Sequence, residues 1–155
     1  MNSNWFECKV RYEKTLEDGK VQKVTEPYIV DALSFTEAEA RIIEEMRPYM
    51  SGEFTVSDIK RAKYAELFPS AEEQADKWYK CKVMFITLDE KKGVEKKTAA
   101  QMLVQAGSVR DAIDKLENGM SGSMADYEIA SVTETKIMDV YPFKAEGEDD
   151  IPAEA

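Results

Sequence analysis

One six-residue string occurs twice in this chain, and that duplication constrains the fold more than any other feature. Trp5-Phe6-Glu7-Cys8-Lys9-Val10 matches Trp78-Tyr79-Lys80-Cys81-Lys82-Val83 at four positions, with an aromatic exchange at a fifth. Further matches follow in the same order. They are Thr15-Leu16 with Thr87-Leu88, Gly19 with Gly93, Ala32 and Ser34 with Ala106 and Ser108, and Met50-Ser51-Gly52 with Met120-Ser121-Gly122. Each copy closes on an aromatic residue followed by proline, Phe68-Pro69 and Tyr141-Pro142, as suits the exit of a strand. A repeat of this kind lets one copy arbitrate ambiguities in the other.

Within each copy the pattern shifts from period two to helical spacing. Phe6, Cys8, Val10 and Tyr12 alternate with Glu7, Lys9 and Arg11, and Tyr79, Cys81, Val83 and Phe85 alternate with Lys80 and Lys82, the signature of a half-buried strand. Polar residues around Gly19 and Gly93 precede a second apolar stretch, so a β-hairpin is expected. Ser34 with Glu37, and Ser108 with Asp111, then read as helix N-caps. One apolar stripe follows each cap, Phe35, Ala38, Ile42, Met46 and Tyr49 in the first copy and Val109, Ala112, Ile113 and Leu116 in the second. Arg61–Leu67 alone would pass for a helix. Its counterpart Val132–Tyr141 is rich in β-branched residues, so both are read as extended, with a bulge or bend.

The predicted class is therefore α+β, with two tandem ββαβ repeats at 1–69 and 78–143, a short linker at 70–77 with room for a helical turn, and an acidic tail at 144–155 read as disordered. The favoured assembly is one compact domain: a mainly antiparallel sheet, both helices on one face, and a pseudo-twofold axis relating the copies. Two loosely coupled subdomains are the alternative. If the strands flanking each helix pair in parallel, their crossover should be right-handed.

The opening W-F-E-C-K-V, the segment Tyr28–Ala40 and the closing Tyr141-Pro142-Phe143 resemble an uncharacterised domain family of gut Bacteroidetes and their phages and mobile elements. The likeness spans nearly the whole chain except the acidic tail. It implies a bacterial or phage setting and assigns no activity.

Composition narrows the chemistry. The chain has no histidine, the side chain most used for proton transfer near neutral pH and the commonest transition-metal ligand, which argues against an enzyme. Two cysteines, not in a C-x-x-C arrangement, predict no disulfide framework and no zinc site. No cofactor is expected, and no Gly-rich phosphate loop or G-x-S-x-G elbow is present. No apolar run approaches membrane-spanning length and the N-terminal residues lack the pattern of a signal peptide, so a cytoplasmic protein with no membrane partner is expected. The net charge of −10 divides into −3 over residues 1–70, −3 over 71–143 and −4 over the last twelve.

Candidate sites are few. Cys8 and Cys81 lie on apolar strand faces, where packing as small hydrophobes is favoured over reactivity. Glu37, Glu39, Glu44 and Glu45 read as a solvated helical face, and Lys91, Lys92, Lys96 and Lys97 as a solvated hairpin tip. The sharper candidate is the face of the first strands carrying Trp5, Lys9, Arg11, Trp78, Lys80 and Lys82, where aromatics interleaved with bases could stack and clamp single-stranded nucleic acid. Burial of the tryptophans against the linker or the other copy is the favoured competing reading.

The expected function is a non-catalytic binding or interaction module with a protein or nucleic-acid partner. The alternatives are single-stranded nucleic-acid binding on that face, an acidic nucleic-acid mimic, and, least favoured, a carboxylate-dependent enzyme at the seam between repeats. Self-association through sheet edges is a further route.

Overall fold

The first strand alternates apolar and polar residues over eleven positions, enough to pair on both sides, and it becomes the centre of a sheet. The computed structural model describes residues 4–142. In chain order the elements are β1 (Trp5–Thr15), β2 (Val21–Asp31), α1 (Phe35–Met46), a 3-10 turn (Arg47–Tyr49), β3 (Phe54–Ala62), β4 (Glu66–Phe68), β5 (Lys77–Asp89), β6 (Val94–Ala106), α2 (Val109–Gly119), β7 (Asp126–Glu134) and β8 (Asp139–Tyr141). The fold is α+β. Both expected hairpins form. Gly19 and Gly93 turn them with φ of +83° and +66°, a region open to glycine at little steric cost. The Asp18 carboxylate accepts from the Lys20 N–H, and Asp89 from those of Lys91 and Lys92.

The strands build two four-stranded sheets, ordered β3-β1-β2-β8 and β4-β6-β5-β7, where a single sheet with both helices on one face was expected. The correction has a simple cause. Each hairpin and its helix carry enough apolar surface to close a core of their own. In one sheet Phe6, Cys8, Val10, Tyr28 and Val30 face Ala38, Ile42 and Met46 of α1. In the other, Tyr79, Cys81, Val83, Met102 and Val104 face Ala112 and Leu116 of α2. Burying a side chain of this size contributes about 1.5–3 kcal/mol. The apolar stripes are narrower than the periodicity suggests, since Phe35 and Val109 at the helix starts are 47% and 48% exposed and Tyr49 is 76% exposed.

Ser34 and Ser108 cap the helices as expected, their Oγ atoms accepting from the N–H of Glu37 and Asp111 at 3.1 Å in each case. β1 runs antiparallel to both β2 and β3, so the segment through α1 joins two parallel strands that lie on either side of β1. β5, β6 and β7 repeat this arrangement. Each closing strand carries a register shift, opposite Lys9/Val10 in β3 and opposite Lys82/Val83 in β7.

The closing segments are extended, as read from the sequence, but each breaks in two. After β3 and β7 the chain leaves its sheet. β4 then pairs in parallel with β6, Glu66–Phe68 against Met102–Val104, and β8 pairs in parallel with β2, Asp139–Tyr141 against Tyr28–Val30. Each copy thus contributes its last strand to the sheet of the other. The compact units follow the strands rather than the sequence copies: among the described residues one takes in 4–62 and 139–142, the other Lys63–Met138. Within the expected linker 70–77 the chain makes one turn at Glu73-Gln74, closed by the Ala75 N–H on the Glu72 carbonyl at 3.1 Å, and Lys77 already belongs to β5. The expected acidic tail, 144–155, lies outside the described residues. Among the described residues, no helix is long and apolar enough to cross a membrane.

Candidate functional site

The faces of β1 and β5 turned away from the helices carry the six residues singled out by the sequence, and the two faces differ in how their charges are met. On β1, Glu7 forms an ion pair with Lys60 of β3 at 3.5 Å, and half-buried Lys9 stands cross-strand from Asp58. Arg11 is exposed between Thr25 and Thr55. On β5, Lys80 stands between Leu103 and Thr133, and Lys82 between Gln101 and Ser131. No carboxylate lies directly across from either lysine. Glu128, further along β7, is engaged by Lys97 at 2.9 Å, which raises the Lys97 pKa. The outer face of β5 therefore holds two exposed cations about 6.6 Å apart along the strand, bordered by hydroxyl and amide side chains.

The tryptophans do not form an open stacking platform, and Trp78 follows the favoured reading of burial. Trp78 is only 4% exposed and Trp5 is half-buried. Alternation set the face each ring occupies; removal of a large ring from water decided its exposure. The Trp78 carbonyl accepts from both the N–H and the hydroxyl of Thr135, at 2.9 and 2.8 Å.

Both thiols are fully buried and held in the protonated form. Burial, with Glu7 and Glu39 adding repulsion, pushes Cys8 up to about 12, and burial alone pushes Cys81 up to about 11. A thiolate is the reactive form, so these positions are unreactive in the folded chain. Tyr28 is pushed up to about 12 by burial and by Glu26, and Tyr141, stacked on it at 6.1 Å, moves up for the same first reason. The helix carboxylates stay on the solvent side, Glu39 and Glu44 exposed and Glu37 and Glu45 half-exposed. Among the described residues no group of three or more Cys, Asp or Glu side chains could hold a metal ion.

Two features were not read from the sequence. A groove of about 580 Å³ opens where β1 runs on beyond the start of β3, lined among others by Arg11, Tyr12, Lys23, Gly52 and Phe54. The unequal lengths of the two strands would have signalled it. On α2, Lys115 bridges Asp111 at 2.9 Å and Glu72 of the linker at 3.0 Å. Asp111 also accepts from the Gly107 N–H, and these contacts, the backbone one first, lower its pKa. An i,i+4 acid–base pair was legible there; the partner in the linker was not.

A family model described as Domain of unknown function (DUF4494) matches residues 4–143. No curated protein matches the sequence.

Proposed function

Because the chain belongs to the DUF4494 domain family, whose description assigns no chemistry, we propose from its own surfaces that it is a non-catalytic interaction module that engages a polyanion on the outer face of β5. The observation that carries this reading is the pair Lys80 and Lys82. They are exposed and without a cross-strand acid, while Lys9 and Glu7, the β1 counterparts of Lys82 and Lys80, stand opposite Asp58 and Lys60 respectively. Ser131, Thr133 and Gln101 border the lysines and supply neutral donors of the kind that meet phosphate oxygens. Single-stranded nucleic acid is the polyanion proposed, held by its backbone and not by stacking on Trp78. The non-catalytic part of the reading draws support from the buried, protonated thiols and the solvated carboxylates. A cytoplasmic setting in gut Bacteroidetes or their phages is proposed, the host from the resemblance and the compartment from the want, among the described residues, of a helix long and apolar enough to cross a membrane.

The test is fluorescence anisotropy of labelled single-stranded DNA and RNA at about 50 and 200 mM salt, since phosphate contacts weaken steeply as counterions are restored. Binding at low salt should fall about tenfold or more in Lys80→Glu with Lys82→Glu, and far less in Lys9→Glu with Arg11→Glu. Absence of binding at low salt, or equal loss in both pairs, would sink the proposal.

A further inference from the structure

β3 stands at one side of its sheet, and among the described residues no strand pairs with its outer edge. Which backbone groups it offers there follows from β1. The Asn4 carbonyl accepts from the Ala32 N–H and the Leu16 N–H donates to the Lys20 carbonyl, so the even-numbered residues of β1 face β2 and the odd-numbered ones face β3. Arg11 therefore shares its hydrogen-bonded rung with Thr55, and Phe54 and Val56, on either side of Thr55, turn their N–H and C=O groups outward. Both rungs precede the register shift opposite Lys9/Val10, where the strand bends.

A groove of about 540 Å³ lies between α1 and the start of this strand. Phe54 and Val56 form its floor, half-buried and packed on the helix-side core. Its wall is a flank of α1 next to the buried Ala38, Ile42 and Met46: Glu39, Ile43 and Arg47, four residues apart and so aligned along the helix. Ile43 is half-buried, while Glu39 and Arg47 are exposed. Glu53, in the loop before β3, also borders the groove, and Arg47 forms no ion pair with it. The wall thus sets an acid, an aliphatic and a base about 6 Å apart, close to the roughly 6.6 Å between alternate residues of a strand.

We infer that the outer edge of β3 is a docking site for an extended peptide of a partner protein, added antiparallel to β3, whose alternate side chains are basic, apolar and acidic to match Glu39, Ile43 and Arg47. The outward N–H and C=O groups of Phe54 and Val56 supply the backbone pairing, and the α1 wall supplies the selectivity. α1 joins the parallel strands β2 and β3 and so runs back along them. A peptide antiparallel to β3 therefore runs with α1, and the order of the wall fixes its sequence as base–x–apolar–x–acid. The second repeat lacks this wall. Counted from the caps Ser34 and Ser108, α2 carries the exposed Glu117 where α1 has Ile43.

Fluorescence anisotropy with labelled peptides tests this on the full chain. Ser-Lys-Thr-Val-Thr-Glu-Ser should bind the wild type, and Ser-Glu-Thr-Val-Thr-Lys-Ser, of identical composition, should bind about tenfold more weakly. N-methylation of the first peptide at valine, whose N–H would face β3, should abolish binding, whereas N-methylation at its first threonine, whose N–H would face solvent, should not. In Glu39→Lys with Arg47→Glu, both exposed positions, the preference should pass to the charge-swapped peptide. No binding of the first peptide, equal binding of the two, equal tolerance of both methylations, or an unchanged preference in the double variant would overturn the proposal. The peptide arms need no altered chain. A peptide-free chain that is dimeric by native mass spectrometry, and that the first peptide does not dissociate, would give the edge to a second copy and overturn a partner peptide as its occupant.

Discussion

Replacing Gly119 with alanine sets two effects of known sign against each other. Gly119 is the last residue of α2, and its backbone has no conformation that excludes a side chain, so alanine should favour the helix by up to about 1 kcal/mol, less at a terminal position. Its new Cβ, however, would sit 2.5 and 2.6 Å from Cε1 and Cδ1 of Phe68. The ring is rigid and half-buried against the α2-side core, so it must swing out or carry β4 away from β6. Full burial of a phenylalanine is worth about 1.5–3 kcal/mol, and a half-buried ring that is displaced forfeits roughly half to two thirds of that. Gly119→Ala should therefore destabilise by about 1 kcal/mol net. In a Phe68→Ala background the same change should stabilise by about 0.5 kcal/mol, leaving a coupling near 1.5 kcal/mol between the two positions. Urea unfolding of the four proteins measures the cycle. Gly122→Ala, where a Cβ meets nothing within 4 Å, is the control for backbone effects. If Gly119→Ala stabilises the chain with Phe68 present, the close approach does not hold β4 in place and the reasoning fails.

The other predictions follow from caps and protons. Ser34→Ala and Ser108→Ala should each cost about 1 kcal/mol, by removing the oxygen that accepts an otherwise unpaired N–H in the first turn, and urea midpoints would show it. Alkaline pH should destabilise the fold. Cys8 keeps its proton to about 12 when folded against 9.0 in the free chain, and Cys81 to about 11, so above pH 9 the unfolded state binds fewer protons. The thiols' contribution is fully present below 9.0 and is lost as pH rises through the folded values. Urea midpoints on either side of pH 9 should fall, and less so after Cys8→Ala with Cys81→Ala. A chromogenic thiol reagent should meanwhile label the native chain only at the rate at which it opens.

The duplication made most of each sheet legible. Alternation from Phe6 to Tyr12 and from Tyr79 to Phe85 reports which side chains share a face, and Ser34 and Ser108 mark helix starts through local chemistry, so hairpins and caps follow from neighbours in sequence. The break between Ala62 and Glu66 carries no such signal. Lys63, Tyr64 and Ala65 include no glycine or proline, and the pairing of Phe68 with Val104 is a contact between distant residues that no local pattern announces. The site suffered from the same limit. Period two placed Trp78 opposite Tyr79 correctly, but a face is not an exposure, and the ring is buried. What distinguishes Lys80 and Lys82 from the β1 face is the identity of their cross-strand neighbours, Thr133 and Ser131 against Lys60 and Asp58, and a register three elements away cannot be read from the strand itself.

Reciprocal exchange of the last strands also imposes an order on synthesis. The first sheet has β1, β2, α1 and β3 in hand once Ala62 has emerged, but the outer edge of β2 is covered only by Asp139–Tyr141. At a translation rate of about 5–20 residues per second, that edge waits roughly 4 to 15 s for its strand. During that interval Tyr28–Val30 is an open template, able to recruit any extended segment nearby, including one on a neighbouring nascent chain. The N-terminal half therefore cannot mature ahead of the C-terminal half, and the window in which a ribosome-bound chain chooses its own strand or a neighbour's is set by translation.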